Sequence, residues 1–159
     1  MRDMERRGLK TGDIVRVKSR RGELAVRVES SDQVRAAQAF MPMHWGSQFM
    51  RGAGVNALTA SDCDPHSQQP ELKHAAVQAE KAELPHTLVA MRRFAADATP
   101  SAPQLAERLQ PLLAKFDYAS VNLVGREHAV VVFRAYCAAP PDAAAMRGAF
   151  RLSVPKGIF

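Results

Sequence analysis

The side chains best suited to chemistry in this sequence fall in three short polar stretches. Asn56 and Thr59, in Asn-Ala-Leu-Thr, offer an amide and a hydroxyl that can hydrogen-bond a phosphate, or can simply stabilise a turn. Lys73, close behind Pro70-Glu71, can present a cation to a phosphate while Glu71 accepts from amino groups; the competing reading is an ion pair at a strand edge. His44 and Trp45 follow an apolar run. His44 reads more naturally as a packed histidine donating to backbone than as a base, Trp45 as a core or cavity wall, and Gln48 as a contact residue. Cys63 and Cys137 read as ordinary reduced thiols, because two isolated cysteines hold neither an iron–sulfur cluster nor a four-ligand zinc site. The five histidines show no ligand spacing, and C-x-x-C, HExxH, P-loop and GxGxxG patterns are absent.

The charge balance narrows the partners. A net charge of +6 and a pI near 9.8 favour something anionic: nucleic acid, a diphosphate-bearing ligand or an acidic protein surface. Arg16, Lys18, Arg20, Arg21 and Arg27 form the main cluster, without the interleaved aromatics that single-strand stacking needs. A period of two puts Arg16, Lys18 and Arg20 on one side of a strand, which is also what a solvated strand face looks like. With 47% hydrophobic and 24% charged residues, a packed core is expected. No run approaches the roughly 18 apolar residues of a membrane span. The charged start Met-Arg-Asp-Met-Glu-Arg-Arg is unlike a signal peptide, so a soluble cytoplasmic protein is the expectation.

Positioning these residues requires mostly short strands. Residues 3–9 suggest a short helix ended by Gly8. A hairpin follows, with Ile14, Val15 and Val17 on one strand and Leu24, Val26 and Val28 alternating on the next. Gly22 closes the Ser19–Gly22 turn, where a positive φ is expected. Ala39–Met41 reads as a short strand and 44–59 as a long ordered loop or a pair of turns. The stretch 72–82 reads as a strand with Leu72, His74, Ala76 and Gln78 on one face. A boundary is expected near 80–87. Beyond it, a strand at 86–94, an amphipathic helix within 99–116 whose start suits Ser101 and the prolines near it and which Pro111 should kink or split, two strands around Gly125–His128 and a last short helix give a β-α-β-β-α order, a small two-layer α+β unit. No pattern is readable in 151–159.

Three stretches in series, RRGLKTGDIVRVKSRRGELAVRV, FMPMHWGSQF and VNALTASDCDPHSQQPELKHAAV, resemble the molybdopterin-dinucleotide-binding domain of the dimethyl-sulfoxide-reductase superfamily over residues 3–79. Any one alone is weak, but the order MPMHW, NALT, PELKHAAV is specific. MPMHW and PELK are most similar to the assimilatory nitrate reductases, and residues 105–137 also resemble the segment that follows this domain in the bacterial assimilatory enzymes. The resemblance implies a mainly β fold, a double-psi β-barrel over 1–82 with its opening strands before residue 1, followed by an α+β extension over 83–159. It implies a bis-molybdopterin guanine dinucleotide cofactor, contacted by His44, Trp45, Gln48, Asn56, Thr59, Glu71 and Lys73. It implies reduction of nitrate to nitrite by oxygen-atom transfer at molybdenum. The family's molybdenum-ligating cysteine and [4Fe-4S] cysteines have no counterpart here. The expectation is a cofactor-binding C-terminal fragment, inactive alone, whose partners are the cofactor, the rest of the catalytic subunit and an electron-donor protein. No membrane partner is expected, and the competing class is a stand-alone basic β-barrel for nucleic acid or an acidic protein.

Overall fold

Alternating β-branched residues build the first sheet. The computed structural model describes residues 2–42, 54–69, 74–95, 100–125 and 130–153. Strand β1 (Ile14–Lys18) is central and antiparallel to both neighbours, β2 (Glu23–Arg27) and β3 (Gln78–Lys81), in the order β2-β1-β3. The β1/β2 register sets Val15 opposite Val26 and Val17 opposite Leu24. Val15, Val17 and Leu24 thereby share a buried cluster with Leu9 and Leu58, flanked by Met4, Val26, Val28 and Met41. Helix α1 (Arg2–Arg6) ends at Gly8, whose φ of 63° suits a glycine. Arg7 ties that end to β3 by donating to the Ala79 carbonyl at 3.1 Å.

The basic cluster of the hairpin is interrupted by acids. Arg16 lies opposite Glu80 on β3, and Lys18 opposite Glu23 on β2. Opposite charges facing across strands make this a mixed, solvated face.

Three local expectations are corrected. Gly22 has no positive φ; the left-handed glycine of this region is Gly12, at φ 96°. Ala39–Met41 forms no strand, and Phe40 is 79% exposed, because a run of three apolar residues without alternation defines no buried face. Of the loop or turns expected over 44–59, the described part holds a 3-10 turn, Gly54–Ala57, which carries Asn56. The strand expected from residue 72 begins only at Gln78: residues 74–77 are irregular and exposed, and Leu72 and Lys73 lie outside the described residues. Apart from its polar face, that segment is alanine with one valine, which offers little to a pleated surface.

A second compact unit spans Glu83–Phe159 and the first Met1–Ala82. In the second, β4 (His86–Arg93), β5 (Tyr118–Val124) and β6 (Val130–Cys137) form an antiparallel sheet in the order β4-β6-β5. The outer strands are therefore parallel to each other, with β6 inserted between them and α2 (Ala102–Leu113) connecting β4 to β5, a split β-α-β arrangement. Leu105, Leu109, Leu112, Leu113 and Phe116 pack with Ala145, Ala149 and Leu152 of α3 (Ala143–Ser153) onto Ala90, Val131, Phe133 and Ala135. Phe116 meets Phe133 edge to face at 5.5 Å. Helix α2 runs through Pro111 and ends two residues later, so the proline does not split it. The last helix reaches Ser153, further than its sequence pattern suggested.

Both units together make the described chain mainly β, with two antiparallel sheets and three short helices.

Candidate functional site

The described part of the candidate site is the 3-10 turn at Gly54–Ala57 and the hairpin tip against it. Gly54 starts the turn at φ 64°, and the neighbouring Val55 and Leu58 are buried. With those two anchored, Asn56 between them is turned outward and exposed. Among the described residues its side-chain amide has no hydrogen-bond partner, while its carbonyl accepts from the Thr59 hydroxyl at 3.4 Å. Thr59 therefore serves partly as the turn stabiliser that its residue type suggested.

The β1–β2 hairpin fixes this turn from the other side. Ser19 builds the hairpin tip: its hydroxyl accepts from the Arg21 and Gly22 amides at 3.0 and 3.3 Å, and its own amide donates to the Gly22 carbonyl at 2.9 Å. A Cβ on Gly22 would stand 2.9 Å from the Ala57 carbonyl oxygen, so the two backbones approach more closely than any side chain allows. Arg21 then reaches over, donating to the Ser61 hydroxyl at 2.8 Å and pairing with Asp62 at 3.6 Å. Gly22 and Arg21 are the residues that sequence reasoning missed. Their partners lie some 40 residues away, and no local spacing announces that contact.

Beyond Asp62 the chain is shaped by Asp64. Its carboxylate accepts from the amides of His66 and Ser67 at 3.0 and 2.7 Å and from the Ser67 hydroxyl at 3.0 Å. These bonds, led by the Ser67 amide, hold its pKa below the ordinary aspartate value. Gln68 follows at φ 57°. Asp13 is held low as well, by the Lys10 amide first and by Lys81 at 3.1 Å.

Of the seven residues singled out by sequence, Asn56 and Thr59 are brought together in one turn. His44, Trp45, Gln48, Glu71 and Lys73 lie outside the described residues. Cys63 is exposed and Cys137 buried, both as free thiols. Among the described residues no group of three or more His, Cys, Asp or Glu could hold a metal ion. No helix among them is long and apolar enough to cross a membrane.

The sequence over this unit has well-defined relatives. Residues 1–76 match the family described as Molydopterin dinucleotide binding domain. Residues 1–76 belong to that family of molybdopterin oxidoreductase C-terminal domains. The chain is 44% identical over 75 residues to a nitrate reductase of Klebsiella oxytoca, covering 47% of this chain and 9% of that protein. It is 45% identical over 60 residues to a nitrate reductase of Synechocystis sp., covering 38% of this chain and 8% of the relative. An F420-dependent formate dehydrogenase 1 subunit alpha of Methanococcus maripaludis is 33% identical over 79 residues, covering 50% and 11%. The chain thus spans about a tenth of the length of the curated relatives it matches.

The donor set of the Asn56 turn suits a molybdopterin dinucleotide. A carboxamide turned to solvent offers both donors and an acceptor, which match the mixed edges of a pterin or guanine ring. Asp62, which follows the turn in the chain, is already offset by Arg21, so it does not impose a bare negative charge on a diphosphate.

Proposed function

We propose that residues 1–82 are the cofactor-closing domain of a molybdenum oxidoreductase catalytic subunit, completing a double-psi β-barrel, with residues 83–159 as its α+β extension. The reaction is nitrate reduction in the cytoplasm, and the cofactor is bis-molybdopterin guanine dinucleotide. When bound, that group supplies the molybdenum at which an oxygen atom is transferred and the electrons for the transfer. This chain binds and orients. Asn56 hydrogen-bonds the cofactor's polar edge, Thr59 keeps the turn in shape, Lys73 faces a phosphate, Glu71 accepts from amino groups, and His44, Trp45 and Gln48 line the same cavity. The molybdenum ligand, any [4Fe-4S] cluster and the docking of the electron donor belong to the rest of the subunit.

The observation that carries this reading is Asn56: an amide without a partner among the described residues, held outward by two buried neighbours and a hairpin built to touch its turn. Nitrate is favoured over formate because identity is 44–45% with the nitrate reductases and 33% with the formate dehydrogenase. A stand-alone nucleic-acid module is less well supported, since the basic hairpin residues face Glu80 and Glu23.

The test is a titration of the purified chain with cofactor released anaerobically from a molybdenum oxidoreductase, followed by pterin fluorescence. Asn56→Ala should weaken binding about tenfold, the worth of one hydrogen bond to a charged or strongly polar group. The chain with or without cofactor should make no nitrite from reduced viologen. Equal affinity of the wild-type, Asn56→Ala and Lys73→Ala chains removes the cofactor role, and nitrite from this chain alone removes the claim that it depends on the rest of the subunit.

A further inference from the structure

The β4-β6-β5 sheet has one face covered by α2 and α3 and one face that carries no helix among the described residues. Strand alternation assigns the second face to the odd positions of β4 and the even positions of β5 and β6. Its β4–β6 half is apolar: Val132 is buried, yet Met91 beside it is 61% exposed and Val89 51%, while on β5 Asn122 and Ser120 stand opposite Val132 and Arg134 and Val124 is exposed at the strand end. The only charged side chains at these positions are Arg93 and Arg134, both exposed, and Arg134 stands directly opposite Val89. No carboxylate lies at any of these strand positions, in contrast to the mixed face of the β2-β1-β3 sheet.

We propose that this helix-free face is a docking surface for a partner protein that presents carboxylates around an apolar centre. Methionine and arginine beside exposed aliphatics are the composition of a protein interface. Adjacent exposed apolar side chains on a sheet face mark an interaction site more than isolated ones do. The charges select the sign of the partner. A second copy stacked face to face by a two-fold would bring four arginines, and no carboxylate from these strand positions, into one interface, which disfavours it. A single-stranded nucleic acid would need open aromatic rings for stacking. The only aromatics on this face, Tyr118 and Tyr136, are half-buried and packed on each other, centroids 5.9 Å apart at 48°. The inference is independent of the cofactor reading, because it uses residues of the second unit alone.

The probe is a synthetic peptide with a Leu-Phe-Leu centre flanked by glutamates, titrated calorimetrically into the full chain. The controls are its lysine-for-glutamate version and oligo(dT). The glutamate peptide should bind, weaken as salt rises, and lose at least tenfold in affinity with Met91→Asp and with Arg134→Glu. Arg134→Glu should gain affinity for the lysine peptide, a rescue that a misfolded variant would not show. Arg151→Glu, an equally exposed change on α3, should leave binding unaltered. Four results would overturn the proposal: no binding of the glutamate peptide, an equal loss in Arg151→Glu, tighter binding of oligo(dT), or a concentration-dependent dimer abolished by Met91→Asp.

Discussion

Two glycines show how the same substitution takes a different cost from its surroundings. At Gly22 an added methyl meets the Ala57 carbonyl oxygen at 2.9 Å, a backbone atom that moves only if the 3-10 turn moves. At Gly148, inside α3, the added methyl would meet the Leu112 Cδ1 at 2.7 Å, the far end of a side chain that can change rotamer. Helix propensity there also favours alanine by about 1 kcal/mol. Gly22→Ala should therefore cost about 1–3 kcal/mol, as overpacking does, while Gly148→Ala stays within about 1 kcal/mol of the wild type. Urea unfolding of both variants checks this. Because Gly22 abuts the turn bearing Asn56, Gly22→Ala should also disturb cofactor affinity, although the residue touches no ligand. If Gly22→Ala unfolds at the wild-type midpoint, the hairpin does not press on the turn.

At the scale of elements, what proved readable follows from contact range. α2 was readable because its leucines recur at helical spacing and Ser101 stands at its start, where the Ser101 amide donates to the Gln104 side chain at 3.0 Å. β1, β2, β4, β5 and β6 were readable from alternation or β-branched runs. The start of β3 was not, because its register is imposed by β1 across some 60 residues, with Val17 opposite Ala79. Pro111 does not split α2: only two helical residues follow it, and what it costs falls on the turn before it. The missing amide would otherwise bond the Glu107 carbonyl. Pro111→Ala should accordingly restore one hydrogen bond and raise the stability of the second unit by about 1 kcal/mol, read as a higher midpoint in thermal unfolding. No change, or a loss, would mean that the pyrrolidine ring is stabilising through the unfolded chain instead. The site was half readable in the same sense. Asn56 and Thr59 stand out as polar residues in a short motif, whereas the Gly22 and Arg21 contacts that hold their turn are long-range.

The whole molecule is basic, yet at least five of its carboxylates, Asp3, Asp13, Asp64, Asp117 and Asp142, accept backbone amides, and the lowered pKa values of Asp13, Asp64 and Asp142 shape its response to acid. Asp13 receives the Lys10 amide and pairs with Lys81, Asp64 holds the loop after the site, and Asp142 accepts the Ala145 amide at 2.6 Å at the start of α3. All three have pKa values lowered below the ordinary 3.8. A carboxylate whose folded pKa lies below its unfolded value contributes stability above the unfolded value. That contribution is lost as pH falls through the folded one. Both units should thus hold a constant urea midpoint from about pH 7 to pH 5 and lose stability below about pH 4. Asp13→Asn should lower the midpoint at neutral pH and flatten its fall in acid. Asp142→Asn should do the same for the second unit more weakly, because an asparagine at a helix start still caps. If Asp13→Asn unfolds at pH 7 as the wild type does and keeps the full acid slope, then the tie among Lys10, Asp13 and Lys81 does not stabilise the β1–β3 edge.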